Sequence, residues 1–176
     1  MQREPSPREL RLRPLAADDE PAVRAAQQVM AAEDFEFALH LTPDTPWTRY
    51  LAALARQQAG VGLARDRVPA TFLVAEVDGE IVGRVSIRHR LNDRLRANGG
   101  HIGFGVLPAY RRRGFATEML RQGLVVARAV GVDRVLVTCD DDNIASRAVI
   151  ERCGGRLDPD RPVTPGPVPI RRYWID

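Results

Sequence analysis

Three arginines in a row, Arg111, Arg112 and Arg113, stand directly ahead of Gly114 in the stretch PAYRRRGFATEML, where a helical pattern begins. Like charges repel one another, and the first turn of a helix is itself electropositive because its leading N–H groups lack intrahelical acceptors. Cations concentrated at that point call for an anion. A strand, a tight turn and an amphipathic helix aim unpaired amides and the positive end of the helix dipole at one spot, and a phosphate or pyrophosphate is the natural occupant. Gly114 lets the main chain approach such a ligand, the small Ala116 leaves the next turn uncrowded, and the arginines add charge-assisted hydrogen bonds. Taken alone, the run reads equally well as a solvated basic loop. Two other nucleotide signatures are missing. A Walker loop ends in Gly-Lys and this chain has no lysine, while the dinucleotide fingerprint needs three spaced glycines after a strand.

The elements that must position this loop can be read from periodicity. Phe115, Ala116, Met119, Leu120, Gly123, Leu124, Val126, Ala127 and Val130 fall on one arc at 100° per residue, so residues 115 to 130 form an amphipathic helix that Gly131 stops. HIGFGVL, just before the loop, reads as a strand, and Gly103 and Gly105 inside it imply close approach of a ligand or another backbone. DRVLVTC reads as a buried strand and NIASRAVIERC as a helix ended by Gly154-Gly155, which together make a crossover unit. Upstream, ELRLRPL suits a short strand, DDEPAVRAAQQVMAA a helix, Trp47 to about Gln58 a second helix, and RHRLNDRLRANGG a polar connection. TFLVAEVDGEIVGRVSIRH is a hairpin about Asp78-Gly79, a favoured two-residue turn. The tail carries five prolines between 159 and 169 before IRRYWI resumes a strand pattern, which reads as a stiffened connection within the domain.

Composition bounds the function classes. With 176 residues and 44% hydrophobic content the chain can bury one sizeable core, expected over residues 10–176 after a flexible tail at 1–9. A net charge of +3 argues against a dedicated nucleic-acid surface. No apolar run suits a signal peptide or a membrane span, so a cytoplasmic protein without a membrane partner is expected. Cys139 and Cys153 lack metal or disulfide spacing and read as reduced, partly buried thiols, and the acid run Asp140 to Asp142 has no companion ligands that would make a metal site.

VLPAYRRRGFATEML resembles the pyrophosphate loop of the GNAT acetyltransferase superfamily, whose pattern is Gln or Arg, two residues, Gly, one residue, then Gly or Ala. Arg111, Gly114 and Ala116 fill it. A second element of that family, an Asn followed by a helix that ends in Gly-Gly, is matched by DNIASRAVIERCGG, and the order of elements from residue 10 to 175 also fits. The chain is similar in particular to a bacterial subgroup with RHRLN, GGHIG and TCDDDNIAS-type segments. The resemblance implies an α/β (α+β) GNAT-like fold: a mixed, mostly antiparallel central sheet of about six to seven strands, splayed at the cofactor cleft and flanked by about four helices. It implies acetyl-CoA as acetyl donor and a primary amine of a small molecule, amino acid derivative or peptide as acceptor. Gly105, Val106 and Leu107 would flank the pantetheine arm, the amides from Arg112 to Thr117, including Arg113, Gly114, Phe115 and Ala116, would hold the pyrophosphate, and Asn143 would bond the pantetheine amides. Ser146 and Arg152 would reach the far end. Asn143 also reads as a simple helix cap. A homodimer through the last strands is a common family habit.

The chemistry itself needs a base or a water relay, because a primary ammonium titrates near ~10.4, and an oxyanion donor, which the N–H near Val106 can supply. His101 stands where many members carry a basic glutamate, although a partly buried, carbonyl-satisfied histidine is an equal reading. Many members carry a tyrosine acid seven residues after the motif Asn; this chain has Ile150 there. Either Tyr173 on the last strand substitutes as acid, or the thiolate leaves unaided or takes a proton from water, and Glu76 is a weaker base candidate. AEDFEFALH brings Glu33, Asp34 and Glu36 beside Phe35, Phe37 and His40, either to receive a cationic amine or as a solvated helix end, whereas RHRLNDRLR favours an anionic group on the acceptor. The missing tyrosine keeps a second function open, a non-catalytic acyl-CoA-binding regulatory module.

Overall fold

A computed structural model describes residues 9–176; apart from Glu9, the tail expected over 1–9 lies outside the described residues. The Asp78-Gly79 hairpin forms with both turn residues at positive φ, 51° and 81°, the geometry whose twist matches that of its flanking strands. It joins β2 (Ala70–Val77) to β3 (Glu80–Arg88). On one side β1 (Arg11–Arg13) pairs antiparallel with β2, and on the other β4 (Ile102–Val106) pairs antiparallel with β3, giving the order β1-β2-β3-β4. A second sheet has the order β5-β8-β6, formed by β5 (Val135–Asp140), β8 (Ile170–Ile175) and β6 (Arg156–Leu157), with β7 (Val163–Thr164) also on β8.

Both faces of the first sheet are covered, which is why β2 and β3 read as nearly unbroken apolar runs. On one face α4 (Phe115–Ala129) packs Met119, Leu120, Leu124 and Ala127 into one core with Val85 and Ile102, a core that Val135 and Val137 of the second sheet also join. Gly123 is required for that approach, since a Cβ there would stand 3.3 Å from Val85. On the opposite face α1 (Glu20–Ala31) and α2 (Trp47–Ala59) bury Val23, Met30, Trp47 and Tyr50 against Phe72, Val74 and Ile81. The helix expected over 115 to 130 thus spans its predicted residues, but Val130 at its end is 36% exposed and belongs to the turn that Gly131 completes.

Two expectations are refined. The polar connection before β4 contains a short helix, α3 (Asp93–Ala97), because the Asn92 side chain accepts the Leu95 N–H at 2.9 Å and buries Leu95 beneath charged neighbours. The proline-rich tail is partly laddered: β6 and β7 both pair with β8. β8 therefore has neighbours on both sides, and the edge beyond it belongs to β6 and β7. The described residues contain five α-helices in all, the last being α5 (Ile144–Arg152). None of these helices is long and apolar enough to cross a membrane.

Candidate active site

The two sheets meet at the entry to β4 and part beyond it. The Gly99 N–H donates to Thr138 Oγ1 at 2.8 Å, the His101 N–H donates to the Leu136 carbonyl at 2.7 Å, and the Leu136 N–H donates to His101 Nδ1 at 2.9 Å. No ladder joins Ile102–Val106 to β5 among the described residues. The gap opens into a cleft of about 950 Å³ lined by Phe104, Gly105 and Val106 on one side and by Asp140 and Asn143 on the other. In the β3–β4 ladder the His101 carbonyl accepts from Arg88 N–H and the Leu107 N–H donates to Val82. Strand alternation then turns the main-chain groups of Phe104 and Val106 away from β3 and toward the gap. The Val106 N–H therefore faces the gap.

At the head of the cleft α4 begins without a side-chain cap. The first helical bond is the Glu118 N–H to the Gly114 carbonyl at 3.2 Å. The amides of Arg112 through Thr117 have no acceptor among the described residues. Arg112 (φ 65°) and Gly114 (φ 80°) are both left-handed, which curls the chain so that these N–H groups share a concave side. Arg111, Arg112, Gly114, Phe115, Ala116 and Thr117 all line the cleft.

The arginines do not act alike. Arg111 forks onto Glu33 at 2.9 and 2.6 Å and donates from Nε to the Val106 carbonyl at 3.0 Å, so it ties the loop after α1 to the loop before α4. The same pairing holds the Glu33 carboxyl below its usual range. Arg113 lies outside the lining, folded back on the Ala109 carbonyl at 3.1 Å and over the Tyr110 ring at 5.7 Å. Arg112, like Arg152 on the opposite wall, has no side-chain partner among the described residues, which leaves both guanidinium groups at the cleft open to a phosphate.

Along the other wall, Asn143 caps α5 by accepting the Ser146 N–H at 3.1 Å, which leaves its Nδ2 donors without an acceptor among the described residues. Ser146 and Arg152 line the same wall, and Leu107 does not: it packs against the α1–α2 core. In the acid run, Asp141 pairs with Arg171 and Asp140 faces the cleft. No cluster of three His, Cys, Asp or Glu suited to a metal ion occurs among the described residues.

Neither proton-transfer candidate lines the cleft. His101 is 8% exposed, and its Nδ1 lone pair is taken by the Leu136 amide, which fixes the Nε2–H tautomer. Burial, with Arg96 and Arg88 adding to it, pushes its pKa down to about 4. Tyr173 is 1% exposed in the core and its hydroxyl donates to Glu151 Oε1 at 3.1 Å; burial and Glu151 raise its pKa. Glu76 is bound to Arg11 and Arg13 across β1. The acidic-aromatic stretch divides: Glu33, Asp34 and Phe35 reach the cleft, Phe37 is buried, and Glu36 accepts the His40 N–H at 2.6 Å. Asp34, exposed at φ 55°, has no side-chain partner among the described residues.

The reason for Gly105 differs from the one the sequence suggests. A Cβ there would fall 2.4 Å from the Phe35 ring, so an aromatic side chain of this same chain occupies the close approach. The Arg84 guanidinium lies over that ring, 4.4 Å from its centroid.

Residues 9–156 match the family described as the acetyltransferase (GNAT) domain. This chain belongs to the GNAT acetyltransferase family. As a GNAT domain it is an N-acetyltransferase whose acetyl donor is acetyl-CoA. Among curated proteins none matches it. Among solved structures, the GNAT chain is similar to RimJ of Mycobacterium smegmatis, solved with CoA-disulfide, at 24% identity and a TM-score of 0.66 over 94% of this chain and 81% of that one. It is similar to yncA of Salmonella typhimurium, solved with acetyl-CoA, at 19% identity and a TM-score of 0.61 over 95% and 93%. RimL, a ribosomal L7/L12 alpha-N-protein acetyltransferase solved with coenzyme A, gives 17% and 0.64 over 94% and 93%. At such identities the likeness is one of fold. The donor set suits acetyl-CoA: a run of unpaired amides for its diphosphate, and an unladdered strand edge for the amides of its pantetheine arm.

Proposed function

We propose that this GNAT domain, residues 10–176, transfers the acetyl group of acetyl-CoA to a primary amine of a small molecule, amino acid derivative or peptide. The observation that carries this is the row of amides from Arg112 to Thr117 left without acceptors at the head of a 950 Å³ cleft. Amides left bare at a helix start are costly unless water or a ligand satisfies them, and a diphosphate does so with charge. Acetyl-CoA supplies an activated acyl carbon. The backbone of Gly105 and Val106 and the Asn143 Nδ2 group would orient its arm; Arg112, Phe115, Ala116, Thr117, Ser146 and Arg152 would hold the phosphates and the far end. Val106 N–H would receive the developing oxyanion. Asp34 and Asp140 are the acidic side chains that line the cleft without a side-chain partner among the described residues, and Asp34, next to the Phe35 whose ring packs on Gly105, is assigned to attracting the acceptor's ammonium and taking its proton through water. His101, with its lone pair engaged, is assigned to holding the two sheets together where they part. The side chains of Leu107, Arg113 and Tyr173 are assigned to packing, while the Arg113 amide stays in the row that would face the diphosphate.

The test is release of free thiol from acetyl-CoA over a panel of amines, with calorimetric titration of desulfo-CoA alongside. Turnover with at least one amine and saturable binding support the proposal; no heat at millimolar desulfo-CoA removes it. The distance of His101 and Tyr173 from the cleft, with Ile150 at the usual acid position, favours a second reading, a non-catalytic acyl-CoA-binding module. That reading requires binding without turnover of any amine.

A further inference from the structure

Asp34 stands in a turn that hangs from the end of α1. The Met30 carbonyl accepts the Glu33 amide at 3.0 Å and the Phe35 amide at 3.1 Å, and the Asp34 amide between them donates to the Ala31 carbonyl at 3.1 Å. Asp34 itself is held at φ 55°, a conformation that costs a non-glycine residue free energy unless its surroundings impose it. Both of its neighbours are anchored, and on the same stretch of β4. On one side the Phe35 ring fills the space over Gly105, and Arg84 secures the residues that follow by donating to the carbonyls of Glu36 at 2.7 Å and Phe37 at 3.0 Å. On the other side Glu33 receives the fork of Arg111, whose Nε in turn donates to the Val106 carbonyl at 3.0 Å.

Every nitrogen of the Arg111 guanidinium is engaged. Nη1 and Nη2 each meet one Glu33 oxygen, Nη2 also approaches Met30 Sδ at 3.8 Å, and Nε takes Val106. The position of Arg111 in the loop motif suggests a phosphate contact, yet its side chain is spent on protein. Half-exposed ion pairs contribute little to global stability, and these two side chains keep 40% and 45% of their surface. A two-pronged guanidinium–carboxylate pair does fix direction. What this one fixes is the placement of the Asp34 turn against the Gly105–Val106 edge, where the Val106 N–H faces the gap.

Resting on the acetyltransferase reading above and its assignment of Asp34, we propose that Glu33 and Arg111 are positioning residues. Acting as one bracket, they hold the Asp34 carboxylate in register with the Val106 amide, so that proton acceptor and oxyanion donor face one reacting centre. Neither touches the reacting atoms. Their effect is to set the geometry before the acceptor arrives, which spares the transition state the cost of arranging it.

Glu33→Ala and Arg111→Ala are made alone and together with Asp34→Asn, and followed by thiol release from acetyl-CoA over the amine panel and by amide hydrogen exchange of the unliganded protein. Glu33→Ala should lower kcat about tenfold, with the KM for acetyl-CoA within about threefold of wild type and the urea midpoint nearly unmoved. In the Asp34→Asn background the same change should alter kcat by less than about twofold, because the bracket acts through that carboxylate. Glu33→Gln, which can still accept one Arg111 N–H, should recover part of the loss. In both single variants the Asp34 and Phe35 amides should exchange about tenfold faster. A native kcat in Glu33→Ala overturns the proposal. So does a loss of equal size with and without the Asp34 carboxylate, the sign of a merely structural role, and so do native exchange rates at both amides in the two variants. If no amine turns over, the acetyltransferase reading fails, and the exchange rates, which need no substrate, decide the bracket alone.

Discussion

Individual side chains carry the sharpest expectations. Asp34→Asn should lower kcat/KM by about 100-fold, the range for a lost proton acceptor, with desulfo-CoA affinity intact; unchanged kinetics would remove Asp34 from the chemistry. His101 gives a pH signature. Its folded pKa, about 4, lies below its ordinary 6.5, so the unfolded chain binds the extra proton first as pH falls. The stability it contributes is complete above about 6.5 and is lost as the pH drops toward about 4. His101→Asn, whose amide oxygen can still accept from Leu136, should flatten that decline in urea unfolding midpoints measured across the window, and an unaltered decline would place the titration elsewhere. The loop motif was legible because it consists of local chemistry, a glycine, small residues and a helix start. His101 was legible only as a residue of interest, since its engaged lone pair depends on Leu136, which lies 35 positions away. The fork of Arg111 onto Glu33, 78 positions apart, left no local trace.

At the level of elements, the turn into α4 depends on conformation more than on space. Gly114 sits at φ 80° and a Cβ there would meet nothing within 4 Å. Gly114→Ala should therefore cost about 1–2 kcal/mol from left-handed strain alone, and weaken desulfo-CoA binding in calorimetry by disturbing the amide concavity. A variant with native affinity would show that the loop tolerates another path. Strongly periodic elements were legible: α4, the Asp78-Gly79 hairpin and the helix that Asn143 caps. The short α3 was not, because its five residues hold one apolar anchor, Leu95, among charges, and too short a helix has no period to read. Gly105 was legible as a close approach but not as an aromatic one, since the ring that meets it comes from the loop after α1.

For the molecule as a whole, the first sheet is sandwiched between two apolar layers, and the α4 layer bears on the cleft. Leu120 is fully buried there. Leu120→Ala should cost about 2–5 kcal/mol, seen as a lower urea midpoint, whereas Val125→Ala on the outer face of the same helix, 67% exposed, should move it little. Equal losses would mean that α4 packs differently. The overall architecture was legible from the order of elements, and the parting of the sheets from the family resemblance; which groups guard the parting was not, because they converge from separate stretches of chain. The Arg111 fork also bears on redesign. The segment between α1 and α2 is the natural place to exchange for another acceptor preference, yet one of its residues is clasped by the cofactor loop. Any transplanted segment has to bring an acid to the place of Glu33, or leave a bare cation at the threshold that the incoming diphosphate must cross.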